Sequence, residues 1–411
     1  MNSLNYKDIQ FYGILLLAIT ITLPMLINNI AIILNLVIVI VGLFQNKNIR
    51  LNNIQICLIN LFVLSLISIF YSCNFNEGFK VLEKYLSFLV FPIIFSCVNF
   101  DNKEIQVIKY GFVFSVITVL LFSLGMAIYN SIENESIYIL NPENLVLENQ
   151  FRYHRLMTNA NISATIFAMY IVFSVGIILY DLCLNKSSIR YNKSLVILII
   201  TLCFSLYLMS SFTAYLALGA TLTSILFYIK LPKIYYLLII LPVVFALLIF
   251  NMKAKGLDSD ILKYNITDNI HNKNWNSLNI RLAKWECAIE VIEDTFPIGT
   301  GVGCSQITLN NKYKEKGFEI GYNKKFSTHN QYLHYLVESG LLGFVAFIGL
   351  VFIGIYQSYI NQNYILNAIF TLLIVFSLTD SVLIVNKGIV FFSFFICFTS
   401  KIKNGYYEYE T

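Results

Sequence analysis

Long apolar runs separated by short polar breaks occupy most of this chain, at about 11–28, 30–44, 54–72, 78–98, 107–129, 160–182, 194–209, 211–229, 234–250, 333–358, 363–379 and 382–399. Most approach the roughly 20 apolar residues that a helix needs to cross the hydrocarbon core of a bilayer. The pattern predicts an all-α polytopic integral membrane protein of about twelve transmembrane helices. The first run ends in Leu26-Ile27-Asn28-Asn29 rather than a small-x-small cleavage site, so it is expected to be an uncleaved span. Two polar intervals, 130–159 and 251–332, are too long for connectors, and long loops in compact folds usually carry function. The expected organisation is nine helices with the loop 130–159 over residues 1–250, a large loop over 251–332 between helices 9 and 10, and three helices with a tail over 333–411.

Composition narrows the class. Of 411 residues 57% are hydrophobic and 12% charged, about half the charged share of a soluble domain. An ordinary soluble enzyme and a disordered chain are excluded. The net charge of +5 is small and scattered, which argues against nucleic acid as a partner. Its placement is informative, because Lys and Arg are retained on the cytoplasmic side. With the N-terminus inside, the inner segments hold Lys7, Lys47, Arg50, Lys103, Lys109, Lys186, Arg190, Lys193, Lys230, Lys233, Lys401 and Lys403. Lys80, Arg152, Arg155 and Lys387 are left for short or medium outer segments. Both termini are then cytoplasmic and both long loops face outward, into a periplasm without nucleotides. An enzyme there must use substrates that arrive already activated.

In the large loop, apolar residues at 282, 285, 289 and 292 have helical spacing, with Arg281 in the first turn on the side of Trp285. The guanidinium is expected along the indole, its alternative being a solvated helix-end charge. Gly299-Thr300-Gly301-Val302-Gly303 lacks the Lys-Ser/Thr of a phosphate loop and reads as a sharp turn. Thr328 and Gln331 have capping-box spacing, which predicts His329 in the first turn of the tenth span. A helix N-terminus attracts anions and favours a neutral imidazole.

Other candidates are weaker. Asp258-Ser259-Asp260 has metal-pair spacing but reads as solvated loop, so no metal is expected. Cys287 and Cys304 could pair in an oxidising compartment, although separate burial is preferred. Lys80, Glu83 and Lys84 form either a functional or a snorkelling paired cluster, and Asp380 and Lys387 are expected at the interface. His154, His271 and His334 have no companion for a metal site.

Arg281 three residues before Lys284-Trp285, then Pro297, Gly299-x-Gly301-x-Gly303, His329-Asn330 and Gly340-Leu341-Leu342-Gly343, resemble the signature region of the O-antigen ligase and O-antigen polymerase superfamily over about residues 279–350. Arg155-Leu156-x-x-Asn159-x-Asn161 adds a second, shorter match. The resemblance implies a GT-C-like, metal- and cofactor-independent glycosyltransferase of the bacterial inner membrane. It would move a glycan from undecaprenyl diphosphate to an acceptor hydroxyl, on lipid A core or a growing glycan, at the periplasmic face. Arg281 would contact the diphosphate, and His329 would assist the acceptor or bind the leaving group. Trp285 and Asn330 would line the substrate. Where many members carry an arginine at the start of the eighth span, this chain reads Ser210-Ser211-Phe212-Thr213, and Arg152 or Arg155 are candidates to replace it. The His329-Asn330 to Gly340-x-x-Gly343 spacing tips the choice from polymerisation towards ligation. A transporter or flippase is the reading from another class, although no internal repeat suggests alternating access.

Overall fold

The structure is a computed structural model that describes residues 6–44, 49–133, 153–158, 160–184, 189–209, 211–228, 275 and 277–402. Among these it is all-helical, with no strand. The helices are α1 (Tyr6–Thr20), α2 (Met25–Phe44), α3 (Asn53–Ser68) with a 3-10 turn Ile69–Tyr71, α4 (Phe75–Tyr85), α5 (Ser87–Ser96), α6 (Asn102–Glu133), α7 (Tyr153–Thr158) and α8 (Ala164–Leu184). They continue as α9 (Ile189–Met209), α10 (Phe212–Tyr228), α11 (Ser277–Thr295), α12 (Ser305–Glu315), α13 (Glu319–Lys324), α14 (Gln331–Ile360), α15 (Tyr364–Thr379) and α16 (Asn386–Thr399).

Five described segments are long and apolar enough to cross a membrane: α2, α3 with its 3-10 turn, α6, α8 and α14. Shorter apolar helices include α15 and α16. The ninth predicted span, 234–250, and the pair Asp258 and Asp260 lie outside the described residues. Exposed Ile30, Ile33, Val37 and Ile40 on α2, with Leu342, Val345 and Phe352 on α14, leave broad apolar faces of the kind that suits lipid rather than water.

Helix boundaries depart from the hydropathy reading in two places. The first break falls at Ile21–Pro24, not at Asn28-Asn29, because proline favours a helix start and Asn28 is buried inside α2, donating to Thr20 Oγ1 at 3.1 Å. The fourth span is two helices, α4 and α5, meeting at Leu86.

At the centre, α8 and α16 are buried almost all round, consistent with apolar side chains on every face. Their aromatic rings interlock with α6: Phe395 lies 4.6 Å from Phe173 and 4.7 Å from Phe112, centroid to centroid, both edge to face. Lys109, counted above among inner-loop charges, is instead buried in α6 and paired with Asp181 of α8 at 3.0 and 3.1 Å. Lys387 is likewise buried, its Nζ donating to the Leu23 carbonyl at 2.7 Å. Lys80 pairs with Glu77 on an exposed turn rather than with Glu83.

A second, small core caps the N-terminal end of α14. Ala283, Cys287, Ala288 and Val291 of α11 pack with Leu309 and Tyr313 of α12, Phe318, and Val337 of α14. The buried stripe of α11 is therefore not the predicted 282/285/289/292 face, on which Ile289 is exposed. Small residues at 283, 287 and 288 let the helices approach closely, whereas the bulkier face stays at the periphery.

Candidate functional site

The site is built where this small core meets α14. The glycine-rich turn after α11 is a clamp made of backbone. Thr300 N and Gly301 N donate to the carbonyls of Val337 and Glu338, both at 2.8 Å, and Leu341 N donates to Pro297 O at 2.8 Å. The acceptors and donors on α14 are available because Gly340 breaks the helix there, at φ 61° and ψ −151°. On the other side Val302 N donates to Ser68 Oγ at 3.1 Å and Gly303 N to Ser72 Oγ at 2.7 Å. A Cβ on Gly301 would lie 2.6 Å from Ser72 Oγ, so glycine is required by close approach as well as by its φ of 82°. The N–H groups of Thr300, Gly301, Val302 and Gly303 are all engaged by the fold, as suits a turn.

Cys304, next to the clamp, forms a disulfide with Cys73 just before α4. The sequence alone offers Cys287 as its partner, with separate burial preferred. Cys287 is free and buried in the small core, and Cys304 is bridged to a cysteine in the break between the third and fourth spans.

His329 is not in the first turn of α14. The N-cap is Asn330, whose side-chain oxygen accepts from Tyr332 N at 3.0 Å and Leu333 N at 3.1 Å. His329 precedes the cap with φ 47°. The expected capping box is replaced by a loop-to-loop latch: Thr328 Oγ1 and Ser381 Oγ share a hydrogen bond at 3.0 Å, Asn330 N donates to Ser381 Oγ, and Leu383 N donates to Gln331 Oε1. Asn330 Nδ2 also donates to Leu378 O, so its amide is engaged by the fold.

The latch brings Asp380, the residue ending α15, beside the imidazole, with Oδ1 3.4 Å from His329 Nδ1. Across the imidazole stands Phe326, ring to ring at 6.1 Å and nearly perpendicular. Lys284 of α11 places its Nζ 3.8 Å from the Phe326 centroid. Arg281 lies one turn earlier on α11, partly exposed, and makes no hydrogen bond or ion pair with a described residue; its expected contact with the Trp285 indole is not formed. Trp285 is partly exposed, with its Nε1 buried and unpartnered.

Electrostatics tie these groups together. Burial pushes the His329 pKa down to about 4, with Lys284 and Arg281 adding to the fall and Asp380 opposing it. Burial also brings Lys284 down to about 7, with Arg281 and Lys324 adding and Asp380 opposing. Arg281 and His329, distant in sequence, thus share one electropositive neighbourhood. Such a place can hold an anion and keep an imidazole neutral. Thr213, at the start of α10, hydrogen-bonds Thr379 at 2.8 Å, next to Asp380. Arg152 lies outside the described residues, and Arg155 is on α7 with an undescribed side chain.

Sequence reasoning gave Lys284 no role and placed Asp380 only at the interface. The signal for Lys284 was its i+3 spacing from Arg281, which puts both on one side of a helix. No local signal marks Asp380, since its pairing with His329 is tertiary. A further buried set lies on α14 before the kink: His334 Nε2 and Glu338 Oε2 are 3.1 Å apart, and Tyr85 of α4 donates to Glu338 at 3.0 Å.

Compared with known proteins, residues 196–348 match the model of the O-antigen ligase family. The matched stretch contains Arg281, Lys284, the glycine clamp, His329 and Gly340, and it supports the O-antigen ligase superfamily, whose members are ligase- or polymerase-type membrane glycosyltransferases. No curated protein matches the chain.

Proposed function

We propose that this protein is a multi-pass glycosyltransferase of the bacterial inner membrane, of the O-antigen ligase type. It transfers a glycan from undecaprenyl diphosphate to a hydroxyl of lipid A core at the periplasmic face. The observation that carries the reading is the convergence of Arg281, Lys284 and neutral His329 at the N-terminal end of a long apolar helix, within the matched region.

The chemistry follows from the groups. An acceptor oxygen attacks the anomeric carbon while the bond from that carbon to the diphosphate oxygen breaks. Negative charge grows on the departing diphosphate, and a guanidinium with a free fork is suited to meet it. The acceptor proton passes to an imidazole held neutral by its surroundings, with the Asp380 carboxylate 3.4 Å from Nδ1 to stabilise the imidazolium that forms. The donor arrives activated, so fixed cations do the work often given to a divalent metal, and activity is expected to survive chelation.

Deleting the gene and running extracted lipopolysaccharide on a gel tests this. Bare core with accumulating lipid-linked polymer is the expected result. Core carrying a single repeat would instead assign polymerisation, and unaltered lipopolysaccharide would remove the transferase reading.

A further inference from the structure

Lys284 is only 3% exposed, and its ammonium has no hydrogen-bond or carboxylate partner among the described residues. Among the described residues, its Nζ lies against the Phe326 ring, 3.8 Å from the centroid. A cation–π contact recovers less than a buried charge loses with its water. The groups facing it are Arg281 on its own helix, Lys324 at the end of α13, Asp380 after α15 and His329 before α14. On α14 itself, His334 and Glu338 turn to Tyr85 instead. Lys312 and Lys316 of α12 are occupied by Asp294, Glu315 and Glu290. The amine therefore faces two other cations and one carboxylate, an arrangement short of one anion.

We propose that Lys284 is a second binding residue for the donor diphosphate, mostly uncharged in the empty site at mildly alkaline pH and taking up close to one proton from solvent there as the diphosphate enters. The proposal rests on the glycosyltransferase reading above. No substrate bond changes in this step: amine and proton become ammonium, and the ammonium pairs with a phosphate oxygen. With the empty-site value at about 7, roughly nine tenths of the amine is neutral at pH 8 and roughly one tenth at pH 6. A bound dianion shifts the balance to the charged form. Affinity then falls about tenfold for each pH unit above 8, because binding and protonation are linked.

The test is calorimetry on the full chain in nanodiscs, titrated with a P1,P2-dialkyl diphosphate, whose two diester phosphates do not titrate between pH 5 and 9. Comparing buffers of different ionisation heat counts protons. Wild type should take up close to one proton per diphosphate at pH 8 and about a tenth of one at pH 6. Lys284→Met, matched in length and apolar, should bind at least tenfold more weakly with no uptake. Lys284→Arg should bind without uptake at any pH, which separates protonation from lost packing. Binding by wild type without proton uptake, or unchanged uptake in Lys284→Met, would overturn the proposal and leave the donor site standing. No binding of the diphosphate by wild type would overturn both.

Discussion

Asp380 ends α15 with a carboxylate oxygen 3.4 Å from Nδ1 of His329, and the Ser381 latch holds the two loops at that separation. A carboxylate at that distance favours, by its charge, an imidazole proton on Nδ1 over one on Nε2. Asp380→Asn keeps the shape but weakens that selection. Turnover is expected to fall about 10- to 100-fold with KM changed little, measured as glycan transfer at equal expression; normal turnover would remove the positioning role.

The pH profile follows from the same environment. The folded His329 pKa, about 4, lies below the ordinary 6.5, so the imidazole stays neutral as pH falls through 6.5 and gains its proton only near 4. Transfer should show no acid-side loss with a midpoint near 6.5. A loss centred there, absent from His329→Gln, would show that the imidazole is solvated.

Arg281 gives the sharpest comparison between charge and shape. It has no hydrogen-bond or ion-pair partner among the described residues and is partly exposed, so substitution disturbs little of the fold. Arg281→Lys retains the charge but not the two-pronged donor geometry. It should be nearly as inactive as Arg281→Ala, with a loss of about a hundredfold or more in transfer and normal accumulation in the membrane. Half of wild-type activity in Arg281→Lys would reduce the residue to a general positive charge.

What the sequence made legible was what depends on run length and local spacing. The apolar runs located α2, α3, α6, α8 and α14, because bilayer thickness fixes how long such runs must be. The helix over Arg281 and the turn at Gly299–Gly303 were also local. Partners across space were hidden. The Asn28-Asn29 pair reads as a polar break, yet Asn28 is buried inside α2, its amide nitrogen donating to Thr20. Counting bulky residues chose the wrong face of α11, because Ala283 and Ala288 weigh little in hydrophobicity but allow close packing. Asp380 and Cys73 reach the site through loops from other helices, which no spacing rule relates to His329 or Cys304.

Gly340 couples the clamp to α14. Its positive φ with ψ −151° belongs to a region that only glycine populates readily, and a Cβ there would collide with the Pro297 and Ile298 backbone. Gly340→Ala should destabilise the folded chain by about 3 kcal/mol or more, combining strain and collision. A lowered melting temperature in detergent checks this, and an unchanged one would mean that the turn and the helix separate freely.

The Cys73–Cys304 bridge is the last relationship that experiment can reach directly. It joins the start of α4 to the glycine clamp across a sequence separation of 231 residues, so it restrains a long loop in the unfolded chain. Bridges of this kind stabilise by about 2–5 kcal/mol, more for longer loops. They also persist only where the surroundings are oxidising, which in the proposed orientation is the side away from the cytoplasm. A variant lacking Cys57, Cys97, Cys183, Cys203, Cys287 and Cys397 should resist maleimide-polyethylene glycol after denaturation without reductant, and gain two labels once reduced. Cys304→Ser should lower the melting temperature and free Cys73 for one label. Two labels without reductant, on protein from an oxidising envelope, would show that the bridge does not form. The orientation that places the glycine clamp outside would then lose its covalent support.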